Sequence, residues 1–177
     1  MKTSIFYHED DYGMIQLIPE ENLPFIWYEF EEIIGYDFEQ KVDTNATEIF
    51  SLSKLKFELI ERKITVATFE ALCQSLSFER IDEIFTGYST YRELDKTSKV
   101  YGLFDKQEKY RFFTIFYETQ DPYISFLWVL DYSYRHDSVI KLFTELGKKW
   151  NLCLIENGGK AVNLKNEVLI KLYLEEK

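Results

Sequence analysis

Val100-Tyr101-Gly102-Leu103-Phe104, Tyr110-Arg111-Phe112-Phe113-Thr114-Ile115-Phe116-Tyr117-Glu118 and Tyr123 to Tyr132 (YISFLWVLDY) are three runs of aromatic and β-branched residues. Asp105-Lys106-Gln107-Glu108 and Thr119-Gln120-Asp121-Pro122 separate them. Runs of this kind fit a pleated surface and separators of this kind fit turns, so the stretch predicts an antiparallel meander. In the second run Phe112, Thr114 and Phe116 alternate with Arg111, Phe113, Ile115 and Tyr117. Both faces are largely apolar, which places this strand in the middle of the sheet.

Downstream, Asp137 is placed to cap a helix whose Val139, Ile140, Phe143 and Leu146 face the core, ending near Gly147. Leu152 to Ile155 reads as a strand that turns at Asn157-Gly158-Gly159 into Ala161 to Leu164, and Val168 to Leu174 fits a strand or a helix. Upstream, Ser4 to Tyr7 and Met14 to Ile18 flank the acidic turn Glu9-Asp10-Asp11-Tyr12-Gly13 and predict a hairpin. Asn22 is then expected to cap a helix with Pro24 in its first turn, running to Ile34 and closing at Gly35. Phe25, Ile26, Trp27, Phe30, Ile33 and Ile34 put apolar groups on more than one face of it, toward a partner or a second core layer.

Between Ala46 and Lys63, Phe50, Leu52, Leu55, Leu59 and Ile60 fit a helix, while Leu55, Phe57 and Leu59 alternating with Lys54, Lys56 and Glu58 fit a strand equally well. Helix is favoured here, because Thr65 can cap a helix bearing Val66, Phe69, Leu72, Cys73 and Leu76, and Lys63-Ile64 would link the two as a helical hairpin. Residues 77–97 are ambiguous. The expectation is one α+β domain over residues 1–177, an antiparallel sheet with aromatic-rich central strands packed against several helices.

With 46% apolar residues, 15 Phe, 13 Tyr and only 3 Pro and 7 Gly, the 177-residue chain has ample core material and is unlike a disordered one. A sequence pI near 4.8 argues against binding nucleic acid or an anionic membrane, both of which need a basic stripe. Cys73 and Cys153 lie in apolar stretches outside any C-x-x-C spacing and read as buried thiols in a reducing compartment. Ile5-Phe6-Tyr7 is too short an apolar run for a signal peptide, and no stretch approaches a membrane span, so a cytoplasmic protein is expected.

Charge is distributed unevenly. Glu9, Asp10, Asp11, Glu20, Glu21, Glu29, Glu31, Glu32, Asp37 and Glu39 fall between Thr3 and Gln40, where there is no Lys or Arg; the other 21 acids balance all 21 bases. The net charge of −10 therefore belongs to one aromatic-rich segment, which reads as a surface built to meet a basic partner. Glu9, Asp10, Asp11, Glu20 and Glu21 are its electrostatic candidates, and Tyr12, Trp27 and Tyr28 its anchors.

Chemistry has little to hold on to. His8-Glu9-Asp10-Asp11 has the residue types of a metal or acid/base site, but neighbours on a strand point to opposite faces, and a solvated turn is the better reading. His136 reads as a surface residue, no serine sits in a nucleophile elbow, and Asn157-Gly158-Gly159-Lys160 lacks the spacing of a phosphate loop. No enzyme activity, metal or cofactor is expected.

Ser4-Ile5-Phe6-Tyr7-His8-Glu9-Asp10-Asp11-Tyr12-Gly13, Ile15-Gln16-Leu17-Ile18-Pro19 and Glu21-Asn22 resemble the N-terminal part of immunity proteins from bacterial polymorphic toxin and contact-dependent growth inhibition systems, over the first 25 residues or so. The resemblance implies a cytoplasmic inhibitor that binds a cognate toxin domain, expected to be a basic nuclease; the aromatic core and the net charge of −10, which resists self-association, predict a monomer when free. A secretion chaperone that takes a basic or amphipathic effector segment is the alternative, and would be expected to dimerise.

Overall fold

The computed structural model describes residues 3–36, 54–88, 92–104, 111–130, 137–157 and 159–176. The expected meander is present: β7 (Lys99–Phe104), β8 (Arg111–Gln120) and β9 (Tyr123–Leu130) pair antiparallel in sequence order. Counting the other strands along the chain gives β1 (Ser4–His8), β2 (Ile15–Pro19), β3 (Glu32–Ile34), β4 (Glu79–Arg80), β5 (Glu83–Gly87), β6 (Glu93–Leu94), β10 (Leu152–Glu156) and β11 (Lys160–Asn163). The main eight-stranded sheet runs β3-β11-β10-β2-β9-β8-β7-β4, and a three-stranded sheet runs β1-β5-β6. Pairing in the main sheet is antiparallel except between β11 and β3, and β1 pairs parallel with β5. The fold is α+β.

As its pattern requires, β8 is interior to the sheet and covered on both faces. Phe113, Ile115 and Tyr117 point into a core shared with Leu127 and Val129 of β9 and with Phe69, Val139, Ile140 and Phe143 of helices α2 (Val66–Ser75) and α3 (Asp137–Trp150). Helix α4 (Glu167–Glu175) adds Ile170 and Tyr173 to this face. On the opposite face Phe116, Trp128 and Leu130 meet Ile5, Tyr7 and Ile84 of the small sheet. Beside the small sheet, Leu23 and Ile26 of the short helix α1 (Leu23–Ile26) cover Ile18, Cys153, Ile155 and Ala161.

The N-terminal hairpin does not form. β1 and β2 are both strands, yet they enter different sheets, because Ile5 and Tyr7 find apolar cover against β5 and Trp128 while β2 is taken between β9 and β10. Gly13 in the intervening turn does adopt positive φ, at 67°. The helix expected from Asn22 to Ile34 is likewise corrected. Helix α1 covers four residues, a 3₁₀ turn follows at Trp27–Glu29, and the chain then forms β3 beside β11. Its apolar residues on two faces are those of a strand covered on both sides: Ile33 joins the α1 layer and Ile34 the helical core.

Nor is Asn22 a side-chain cap. Fully buried, its Nδ2 donates to the carbonyls of Pro19 (3.1 Å) and Phe57 (2.9 Å), and its Oδ1 accepts from the Phe57 amide (2.9 Å). That clamp holds residues 54–58 out of helical conformation, with Lys54, Lys56 and Glu58 exposed and Leu55 and Phe57 half-buried, the alternation of an extended chain. Among the described residues only a 3₁₀ turn at Leu59–Arg62 stands in place of the expected helix, so no helix leads into Lys63-Ile64 to make the hairpin; residues 46–53 lie outside the described residues. Helix α2 begins as expected, with Thr65 Oγ1 accepting from the Thr68 amide at 3.2 Å. The tail is helical, and the ambiguous residues 77–97 supply β4, β5 and β6. The Asp137 cap and the placement of His136 involve residue 136, which lies outside the described residues.

Gly147 does not stop helix α3. The helix continues to Trp150 and ends where Asn151 turns to φ 56°. Gly147 is needed for close approach instead, since a Cβ there would lie 2.5 Å from the Leu164 carbonyl carbon.

Truncating Asn22 to Ala strands three backbone groups, each costing roughly 1–3 kcal/mol when buried without a partner. We expect urea denaturation to show a loss of at least about 2 kcal/mol; a loss under about 0.5 kcal/mol would mean that the clamp is not needed. Gly147→Ala gains about 1 kcal/mol of helix propensity but overpacks backbone against backbone, at roughly 1–3 kcal/mol. Its melting temperature should fall, and a rise would show that the α3–Leu164 contact yields easily.

Candidate partner interface

Residues following β1 turn sharply, and side chains of the turn itself hold it. In the 3₁₀ turn Glu9–Asp11, His8 Nδ1 accepts from the Asp10 amide (3.3 Å) while the Asp11 carboxylate accepts from the His8 amide (3.3 Å), a reciprocal capping box. Asp11 is thereby fixed at the base, and Glu9 and Asp10 are exposed. Among the described residues no Lys or Arg comes within ion-pair distance of Glu9, Asp10 or Asp11; Asp10 lies 3.3 Å from His8 Nδ1.

The turn carries Tyr12 onto the rim of the aromatic cluster. Its ring centroid lies 5.4 Å from Trp128, 5.5 Å from Phe126 and 6.4 Å from Tyr7, yet 44% of the residue is exposed. Its hydroxyl donates to the Glu118 carboxylate of β8. Behind it Tyr7 meets Trp128 edge-on at 5.0 Å and donates to Asp95 at 3.0 Å, and Phe116 stacks on Trp128 at 4.0 Å. Tyr88, just past β5 and 51% exposed, stands edge-on to His8 at 5.0 Å with its hydroxyl toward Glu9. Exposed Met14 follows in the chain. Carboxylates and exposed apolar surface thus converge at one end of the small sheet.

Not all the expected site residues gather there. Glu9, Asp10, Asp11 and Tyr12 do, and Glu118, Phe126 and Tyr88 join them. Glu20 and Glu21 lie beyond the far end of β2, about 16 Å away at ~3.3 Å per residue. They meet cations of this same chain: Glu20 binds Lys165 at 2.5 Å and accepts from the Tyr36 hydroxyl at 3.1 Å, and Glu21 pairs with Arg62. Burial pushes the Glu21 carboxyl up, but hydrogen bonds from its own amide and from Arg62, with the Arg62 charge, together outweigh it and hold the carboxyl below its usual range. Trp27 is half-buried and Tyr28 is 49% exposed. The segment that carries them rejoins the sheet at β11, three strands from β9 and on the order of 14 Å from Tyr12.

Other acids of the segment are also answered internally. Glu32 pairs with Lys160 at 3.0 Å, and Lys160 also reaches Glu176. Hydrogen bonds to the two raise the Lys160 pKa, in a depression also lined by Glu31, Glu156 and Tyr173. Among the described residues no three His, Cys, Asp or Glu side chains are grouped to hold a metal ion. Both cysteines are buried and burial pushes their thiols up, so neither is poised as a thiolate nucleophile. Among the described residues no helix is long and apolar enough to cross a membrane.

Tyr88, Glu118 and Phe126 were not candidates in the sequence. Glu118 and Phe126 are register partners across β8 and β9, so strand pairing brings them to Tyr12, and Tyr88 arrives only because β5 pairs parallel with β1. Compared with known proteins, the chain matches no family model, no curated protein and no solved structure.

Burial, reinforced by nearby carboxylates, raises the phenol pKa of Tyr7 from 10.0 to about 12, and that of Tyr12 further. A phenol that holds its proton more tightly in the folded than in the unfolded chain stabilises the fold fully below its unfolded pKa. That contribution is lost as pH rises from about 10 toward 12. Urea midpoints should therefore decline over this window, and less steeply in Tyr7→Phe, which keeps the ring contacts. An identical decline in both proteins would rule out Tyr7 as a source.

Proposed function

We propose that this chain is an immunity protein that binds and neutralises a cognate toxin domain, a basic nuclease, in the cytoplasm of the cell that makes both. The observation that carries this reading is the Glu9–Tyr12 turn. Its carboxylates meet no Lys or Arg among the described residues and stand beside exposed Tyr12, Met14 and Tyr88, whereas Glu20, Glu21 and Glu32 are already paired within the chain. Such a surface complements a protein that must hold phosphates with Lys and Arg, and aromatic side chains beside it supply the contact area on which tight binding depends. The turn is held by its own capping box, so little ordering entropy is lost when a partner arrives.

Expected partners are encoded beside this chain, as the C-terminal domain of a large secreted protein. Co-expression with that domain should restore growth, and the complex should associate at least about tenfold more slowly at high than at low salt. Glu9→Gln, Asp10→Asn and Asp11→Asn together keep both acceptors of the capping box, an amide oxygen at position 11 and His8 Nδ1, and should reduce association several-fold without lowering the melting temperature. Failure of co-expression to restore growth, or association insensitive to both salt and the amide changes, would overturn the reading.

A further inference from the structure

Among the described residues the two sheets end on four outer strands. β3, β4 and β6 are three, two and two residues long, whereas β1 has five. Its sequence, Ser4-Ile5-Phe6-Tyr7-His8, contains none of the lysines or prolines by which open edges are commonly blunted. Register and hydrogen bonding together fix which peptide groups face outward. Ser4 is opposite Glu83, and the Glu83 amide donates to the Thr3 carbonyl at 3.1 Å. In a parallel ladder this turns the peptide groups of Thr3, Ile5 and Tyr7 toward β5 and those of Ser4, Phe6 and His8 away from it. The His8 amide is closed off by Asp11. The amides and carbonyls of Ser4 and Phe6 have no partner among the described residues, and Ser4 is exposed.

Side chains along this edge define what could pair with it. Phe6, half-buried, begins a row across the outer face of the small sheet that continues through Phe85 to Leu94, 47% exposed, and Arg92 already places its guanidinium 4.5 Å from the Phe6 ring. One end of the strand runs directly into Glu9-Asp10-Asp11. A second copy of this chain is a poor occupant, because it would bring another net charge of −10 to the same edge.

We propose that β1 receives an extended segment of the basic partner as an added strand, hydrogen-bonded to the peptide groups of Ser4 and Phe6. The segment places an apolar or aromatic side chain beside Phe6 and Lys or Arg beside the acidic turn. This rests on the basic-partner reading above and adds the mode of contact: main-chain hydrogen bonds supply affinity, and the acidic turn sets direction and register. Free sheet edges and an adjoining charge of one sign are both present without it; the pairing gives them a joint use.

The test uses the intact chain and, as probe, a catalytically inactive form of the toxin domain encoded beside it. In the free protein the amides of Ser4 and Phe6 should exchange hydrogen rapidly and those of Ile5 and Tyr7 slowly. On adding the probe, Ser4 and Phe6 should gain protection by tenfold or more. Ser4→Pro removes only an outward amide, a change tolerated on an edge strand, and should weaken binding at least tenfold while Ser4→Ala does not. If the probe binds and Ser4 and Phe6 exchange as in the free protein, strand addition is wrong and the acidic-turn reading survives. If the probe does not bind, both fail. Protection of Ser4 and Phe6 that grows with the concentration of this chain alone would assign the edge to self-association and overturn the proposal.

Discussion

A strand that is apolar on both faces must be covered twice, and β8 sets this condition for the whole molecule. Phe113, Ile115 and Tyr117 require the helical layer; Phe116 requires something on the other side, and the small sheet provides it through Ile5, Tyr7 and Ile84. Covering Phe116 and its stacked neighbour Trp128 is what draws β1 away from β2 and into parallel pairing with β5. The acidic turn between β1 and β2 is consequently stretched over the rim of the cluster rather than closing a hairpin. Tyr12 is left with one side against Phe126 and Trp128 and the other in solvent.

Electrostatics follow the same logic of tertiary placement. Ten acids share one segment of the sequence, but the chain reverses direction repeatedly and presents those among the described residues to different neighbours. Lys165, Arg62 and Lys160, all from later in the chain, meet Glu20, Glu21 and Glu32. Pairs near the surface, as these are, contribute modestly to stability, so their main consequence is to redistribute charge. Glu9, Asp10 and Asp11 remain as a cluster that meets no Lys or Arg among the described residues, at one end of the small sheet.

That position joins the proposed function to the fold. Behind the turn lie rigid, close-packed rings, and beside it runs the open edge of β1, so charge, aromatic surface and backbone donors share one end of the molecule. A partner steered by the carboxylates would encounter preformed contact groups, which is how electrostatic steering is converted into residence time.

The sequence by itself determined the meander, because alternation over strands is a local property and the two apolar faces of β8 are written in consecutive residues. Helices α2 and α3, the β10–β11 hairpin and the buried thiols were legible for the same reason. So were the residues Glu9 to Tyr12 of the candidate site. Only tertiary structure decided the rest. Residues 22–34 are as apolar as an amphipathic helix, but pairing of Glu32–Ile34 with β11, itself distant in sequence, turns them into a strand. Asn22 has the identity of a helix cap, and its use as a clamp on Phe57 depends on a contact 35 residues away. Tyr88 and Glu118 reach Tyr12 and its turn through strand pairing, and the cations that answer Glu20 and Glu21 come from across the chain. Hydrophobic periodicity is read along the chain, whereas burial of a second face, satisfaction of an amide and neutralisation of a carboxylate depend on what is opposite, which the local sequence does not specify.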